Sequence, residues 1–355
     1  MNPEKYNPYA IDSQVEVTQA TQDLGVKITE FKMTGSRTYF FSSEAIHLSG
    51  KISAGGFPDS TYYLEAFCEL DGAKIPRVPA TLLGPNANGN KGTVGKGVTT
   101  QFIAQCDFPD GISINKPGLR ELAKEAKLII NYNFNTKTYV RVWFLNKPTL
   151  IDLQGRGVDP FKLYGINDPL LNSDDIVVSK QTPGPMNLRL NIPFPQPLTT
   201  AEYQFLVGLA RTAAEGNLDT LQRLSIQVPS VSSLNMVLKG EEGYTTSGGS
   251  CDFEYNGQVQ AGYKEYQLRA AKITETNTKC TKEGLILLGL TESDCLSIFK
   301  EPIFTCNFAV TKVPQTGLQS DVITTLAEYT LTNNKKTVVT IRATPQQIQQ
   351  QITNA

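Results

Sequence analysis

The chain has 355 residues, too many for one ordinary sandwich and enough for two or three domains. Charged residues make up 19%, below the roughly 25% usual in soluble domains, and Thr, Asn, Gln, Gly and Pro take their place, as in turn-rich β proteins. The 33 basic and 34 acidic residues leave a formal net charge of −1, which excludes an overall field that would draw nucleic acid or an acidic membrane.

The chain opens on a polar segment, residues 1–14, in which Met1 to Asp12 shows neither the basic start nor the apolar core of a signal peptide. The first domain is expected over residues 15–147. Its strand-like runs are Gly25–Met33, Thr38–Phe41, Ala45–Ile52, Thr61–Leu70, Thr99–Phe108, Lys127–Phe134 and Thr138–Leu145, with Gly, Pro, Asn and Asp clusters between them. In Tyr139–Trp143 the side chains of Tyr139, Arg141 and Trp143 share one face, and Val140 and Val142 the other. One helix is expected in this half, over Gly118–Ala126, where Leu119, Leu122, Ala123 and Ala126 recur at helical spacing behind Pro117.

Alternation lapses over residues 148–175, where Pro and Gly accumulate, and this stretch reads as a linker. The second domain, residues 176–344, resumes with Ile176–Ser179, Asn187–Ile192, Gln222–Val228, Leu234–Leu238, Ser250–Tyr255, Tyr263–Ile273, Ile303–Val310, Ile323–Leu331 and Thr337–Arg342. Thr199–Glu215 fits either a helix capped by Thr199 or Thr200, or a strand over Tyr203–Leu209. The strand is preferred, because Leu224, Ile226 and Val228 alternate strictly after the turn at Gly216-Asn217. Residues 345–355 are Gln-rich and read as a polar tail. No stretch reaches the roughly 18 apolar residues of a membrane span. An exported chain of this kind would draw its anchor or signal from outside this sequence.

The six cysteines are Cys68, Cys106, Cys251, Cys280, Cys295 and Cys306. None forms a Cys-x-x-Cys pair and the only histidine is His47, so the pattern speaks against zinc and for disulfides. Their division by half makes Cys68–Cys106 the natural first bridge. In the second half Cys251–Cys306 is favoured, with Cys280–Cys295 as a local staple. Six buried thiols in a cytosolic protein are the alternative.

The two halves repeat one another. Cys106-Asp-Phe108 matches Cys306-Asn-Phe308, Tyr132-Asn-Phe134 matches Tyr329-Thr-Leu331, and Phe67-Cys68 has a counterpart in Ser250-Cys251. Turn chemistry forces some likeness between β hairpins, but matching cysteines favour duplication. On that reading Cys68–Cys106 and Cys251–Cys306 are equivalent links, with Cys280 and Cys295 in an insertion. The fold class is therefore all-β: two tandem immunoglobulin-like β-sandwich domains.

Cys106-Asp-Phe-Pro109, Leu128–Phe134, Thr136 and Tyr139–Phe144 together resemble uncharacterised extracytoplasmic immunoglobulin-like proteins of small-genome (DPANN-type) archaea. The second half follows the pattern more loosely, with Leu331 in place of the Phe. The resemblance implies a membrane-tethered exterior protein with no known activity.

Candidate chemistry is sparse. His47 alternates with Ile46 and Leu48, which places it on the outer face, and no Gly-x-Ser-x-Gly accompanies it. Gly89 to Gly97 is rich in glycine but lacks the Ser or Thr and the following helix of a phosphate loop. Asp152, Asp159, Asp168, Asp174 and Asp175 crowd the linker, where a structural calcium ion would find carboxylates, although no EF-hand spacing is present. No cofactor or catalytic set is expected. The function expected is a non-enzymatic surface or secretion-associated module acting through other proteins or self-assembly. A viral double-sandwich capsid protein is the first alternative. A carbohydrate-binding module is the second, with Tyr62, Tyr63 and Tyr139 as its candidate aromatics.

Overall fold

In the computed structural model the described residues are 25–35, 37–56, 61–71, 76–114, 119–182, 184–211, 217–241, 244, 249–260, 262–279 and 302–353. Ten strands form the first half: β1 (Gly25–Met33), β2 (Phe40–Phe41), β3 (Ile46–Gly55), β4 (Tyr62–Leu70), β5 (Val78–Pro79), β6 (Thr81–Leu83), β7 (Ala87–Asn88), β8 (Lys91–Val94), β9 (Thr100–Phe108) and β10 (Glu121–Phe144). Two short helices follow, α1 (Lys147–Gly155) and α2 (Pro160–Leu163). The second half holds β11 (Lys180–Gln181), β12 (Met186–Asn191), β13 (Glu202–Arg211), β14 (Asn217–Val231), β15 (Leu234–Leu238), β16 (Phe253–Gln260), β17 (Tyr263–Leu268), α3 (Ala270–Lys279), β18 (Ile303–Lys312) and β19 (Gln319–Arg342), and ends with helix α4 (Pro345–Thr353).

The chain is all-β and its sheets stack as sandwich layers. A four-stranded sheet, β1-β3-β9-β6, packs over the β8-β4-β10 part of a second, larger sheet. The layers approach so closely that a Cβ on Gly50 of β3 would sit 2.3 Å from Leu128 Cδ2 of β10, which explains the glycine there. In the second half β12-β13-β18-β15 packs over β14, β17 and β16, and Phe205 of β13 meets Phe253 of β16 at 5.8 Å between ring centroids. Strand β14 joins the two layers: it pairs with β19 along its first part and with β15 at Ser230 and Val231.

The two sandwiches share their longest strands. β10 and β19 are 24 residues each, about 80 Å of extended chain. They pair antiparallel without a bulge, from Glu121↔Arg342 to Phe144↔Gln319. β4 adds to β10 over the first half, and β14 adds to β19 over the second. Every even-numbered residue of β10 from Ala126 to Phe144 is buried, so one face of this strand serves both cores.

The helix expected over Gly118–Ala126 is not formed. Residues 115–118 lie outside the described ones, and Glu121–Ala126 opens β10. The apolar residues at helical spacing carried only a weak local preference. The facing run Thr337–Arg342 of β19 supplies a complete ladder, and the ion pairs Glu121–Arg342 (3.0 Å) and Glu125–Lys336 (3.1 Å) flank it on the outer face. Thr199–Glu215 contains strand β13, as preferred. Ile176–Ser179 forms no strand, and Val177 makes only an isolated bridge to Leu171.

The stretch read as linker contains real structure. Asn146 caps α1, with its Oδ1 accepting from Thr149 N at 3.0 Å and Pro148 in the first turn. Asp159 caps α2 in the same way, ahead of Pro160. The Gln-rich C-terminal stretch is helix α4 rather than a tail. Ile348 packs against the core and Gln347 Nε2 donates to Ser42 Oγ, so an apolar anchor and a polar clasp fix a helix whose composition looks like a solvated end.

Candidate functional site: the shared strand pair and the disulfides

The sequence repeat meets itself at the middle of the shared ladder. Tyr132 stands opposite Leu331, Asn133 opposite Thr330, and Phe134 opposite Tyr329. Reversing the pair about Asn133 and Thr330 exchanges Tyr132 with Tyr329 and Phe134 with Leu331, a local two-fold axis. On the outer face Thr330 Oγ1 donates to Asn133 Oδ1 at 3.0 Å, and Thr332 Oγ1 to Asn131 Oδ1 at 2.9 Å. On the inner face the Thr136 and Tyr329 hydroxyls share a fully buried hydrogen bond of 2.7 Å between the halves.

Around that bond lies an aromatic cluster in which Phe134 packs on Tyr329 and Tyr62 packs on both Tyr132 and Phe134, with centroids about 6 Å apart. Burial pushes the phenols of Tyr62 and Tyr329 well above the ordinary tyrosine range. The neighbouring Tyr132 adds to the effect at both, while the Thr136 bond opposes it at Tyr329. These are packed, protonated core tyrosines. Next to them β1 is guarded at its open edge: Asn333 Nδ2 donates to Val26 O at 2.7 Å and Lys335 Nζ to Thr29 O at 2.6 Å.

The structure joins Cys68 to Cys106 and Cys251 to Cys306, the two pairs assigned from the sequence. Cys280 and Cys295 lie outside the described residues. The two bridges differ in kind. Cys68 is on β4 and Cys106 on β9, so the first bridge crosses the core between facing sheets. Cys251 and Cys306 are lateral neighbours at an isolated antiparallel bridge, flanked by Asp252 N→Thr305 O and Asn307 N→Ser250 O. Just beyond, Phe253 pairs with Leu268 of β17, so the second bridge fixes the corner where the chain passes from one sheet to the other. The cysteine–phenylalanine part of the repeat occupies like places on β9 and β18. Its upstream counterpart does not, since Cys68 lies on a strand paired with β10 and Cys251 precedes a strand separated from β19 by β17 and β14.

The remaining candidates are dispersed. His47 is exposed, as expected, and its Nδ1 lies 2.6 Å from Asp107 Oδ1 on the open face of the four-stranded sheet. Residues 89–97 span the end of the β7–β8 hairpin and the following turn, with Lys91 engaged by Glu65 at 3.0 Å. Of the linker carboxylates, Asp152 pairs with Arg156, Asp159 caps α2, and Asp168 accepts from the Trp143 indole at 2.8 Å and from Leu170 N. Asp175 is pushed up by partial burial and by the charges of Asp159 and Asp174. Among the described residues no three His, Cys, Asp or Glu side chains are grouped to hold a metal ion. Tyr62 and Tyr63 point to opposite faces of β4, Tyr62 buried with its hydroxyl donated to Gly55 O and Tyr63 exposed, while Tyr139 lies on the far half of β10. They do not assemble into one platform.

Two clusters escaped the sequence reading. Arg223 Nη2 of β14 binds Glu265 Oε1 of β17 at 2.7 Å, with Asn256 Nδ2 on the second oxygen, and Glu265 is 5% exposed. Glu241, after β15, takes Lys264 Nζ at 2.6 Å and the Tyr266 hydroxyl, tying one layer to the other. Burial chiefly, and Glu241 next, drive the Tyr266 phenol strongly upward. Neither set has a local motif, because strand pairing assembles the first and packing between layers the second.

No helix among the described residues is long and apolar enough to cross a membrane. No protein-family model matches the chain, and neither does any curated protein. Among solved structures, the pilus backbone RrgB of Streptococcus pneumoniae aligns over 84% of this chain and 93% of that one, at 6% identity and a TM-score of 0.18. A score that low carries no weight for fold or function.

Proposed function

We propose that the chain is a non-enzymatic structural or interaction protein of the cell exterior, a stiff double sandwich working as a surface or secretion-associated assembly module. The observation that carries this reading is the pair of buried disulfides, one in each half. Such bridges persist in oxidising compartments and are rare where glutathione keeps thiols reduced. The proposed family context is the extracytoplasmic immunoglobulin-like proteins of small-genome archaea, and the proposed partners are other proteins or further copies of the chain. Support for binding rather than catalysis comes from the sole histidine of the sequence, which lies exposed against Asp107 on an open sheet face. A capsid double jelly roll would close each roll on its own strands, whereas here each half uses the other's long strand.

Mass spectrometry of unreduced peptides from native cells tests the reading. Linked Cys68–Cys106 and Cys251–Cys306 peptides are expected. Six free thiols would overturn the exterior assignment.

A further inference from the structure

We propose that this chain assembles with a second copy of itself by exchanging halves, β10 of one copy forming its long ladder with β19 of the other. The proposal specifies the self-assembly part of the function proposed above, and four observations carry it. The ladder between the halves is 24 residues long and has no bulge, so it depends on no feature that only one chain's own connection could supply. Its centre has an approximate local two-fold, which relates Tyr132 to Tyr329 and Phe134 to Leu331, so the ladder has the antiparallel geometry in which two separate chains can also pair. Each disulfide among the described residues closes within its own half, Cys68–Cys106 in the first and Cys251–Cys306 in the second, and neither links the halves to resist exchange.

The fourth observation is a hinge in that connection. Residues 147–171 stay with the end of β10, because Phe161 packs edge-on against Trp143 and Asp168 holds the Trp143 indole. Beyond them the chain reverses in a tight turn, with Asp175 N donating to Asn172 O at 3.1 Å and Leu171 bridged to Val177. Asp175 adopts φ +57°, a left-handed conformation that costs more with a side chain than for glycine and that aspartate tolerates in tight turns. Straightening this turn releases that conformation and sends the second half to another copy, a known route to domain exchange. Reciprocal exchange closes a dimer in which every native contact of the ladder is kept.

The Glu125–Lys336 ion pair, 3.1 Å across the ladder, provides the readout. Full-length chains of natural and ¹⁵N isotope composition are mixed, unfolded in denaturant without reductant, refolded together at high concentration and treated with a carbodiimide. In the dimer fraction about half of the Glu125–Lys336 links are expected to join light with heavy peptides, the random share for reciprocal pairing. Links that are all light–light or heavy–heavy would overturn the proposal. A variant lacking residues 173–175 supplies a second measurement by light scattering. With its turn too short to close, it is expected to be a dimer, and a folded monomer carrying the same link would overturn the proposal. The readout is an ion pair rather than a thiol, so a failed disulfide map removes the exterior reading without deciding this one.

Discussion

Replacing Cys68 and Cys106 by alanine tests whether the shared ladder couples the two halves. The bridge spans 38 residues of sequence and Cys251–Cys306 spans 55, so the chain-entropy relation assigns each about 4 kcal/mol. Cys68 and Cys106 are both fully buried between facing sheets, and removing two sulfur atoms there adds about 1 kcal/mol for the cavity. Against a total stability of about 5–15 kcal/mol, a loss of about 5 kcal/mol is severe. The ladder is the stronger constraint. Its 24 paired positions run through both halves, so neither sandwich can lose its sheet without stripping backbone partners from the other. The halves should therefore melt together. Trp143, the only tryptophan, lies at the second-sandwich end of β10, far along the strand from the first disulfide. Its fluorescence should nevertheless report the damage. With a urea m-value of about 3 kcal/mol/M, the Trp143 midpoint should fall by roughly 1.5 M and coincide with the circular dichroism transition. A Trp143 midpoint that stays in place while circular dichroism gains an earlier transition would show that the halves melt independently, and the coupling argument would be wrong.

The Thr136–Tyr329 bond should behave as a buried pair in a double-mutant cycle: Thr136→Val and Tyr329→Phe each cost about 1–3 kcal/mol by urea unfolding, and the double variant costs less than their sum. Additive losses would mean that the two hydroxyls are not coupled. Tyr62, Tyr266 and Tyr329 hold their protons more tightly folded than unfolded, so the unfolded state is the first to lose protons as pH rises. Their contribution to stability should be constant between pH about 7 and 9 and be lost above about 10, by up to roughly 1.4 kcal/mol per pH unit for each tyrosine. Denaturant midpoints unchanged between pH 9 and 11 would contradict that assignment. Glu265→Ala should cost about 2–3 kcal/mol, because the Arg223 left behind reaches solvent and Glu328, whereas Arg223→Met should cost at least as much, since it leaves the buried Glu265 carboxylate without its counter-charge even with the stem still packed. Equal, near-zero losses in thermal unfolding would place that pair among ordinary surface contacts.

The strands were legible because alternation is a local signal. In β9, Phe102, Ala104, Cys106 and Phe108 face inward while Ile103, Gln105 and Asp107 face out, and the sequence displays that directly. The error at Gly118–Ala126 has the same origin. Leu119, Leu122 and Ala126 fit a helical stripe over nine residues, and nothing local reveals that Thr337–Arg342 waits to pair with them. The C-terminal helix was missed for a related reason, since a polar Gln-rich stretch looks solvated until Ile348 finds the core. The disulfide pairs were readable from their distribution. The geometry of the second was not, because a cross-strand bridge and a bridge between sheets carry the same residues in sequence. Glu265, Arg223 and Asn256 are separated by up to 42 residues and were beyond any motif.

The repeat carried more information than its sequence reading drew from it. Two sandwiches related by duplication suggest two bodies on a string, and equivalent cysteines suggest equivalent interiors. The pairing of β10 with β19 requires something else. Tyr132 and Tyr329 lie on either side of one local axis, Tyr132 packing on Tyr62 of its own half and Tyr329 on Phe134 across the ladder. The motif residues meet at this junction, where Thr136 bonds Tyr329 and Phe134 packs on both Tyr62 and Tyr329. The same residues would form the same contacts across two chains as within one. In the exchange proposed above, the turn at Asn172–Asp175 is the segment whose closure keeps this ladder inside a single molecule.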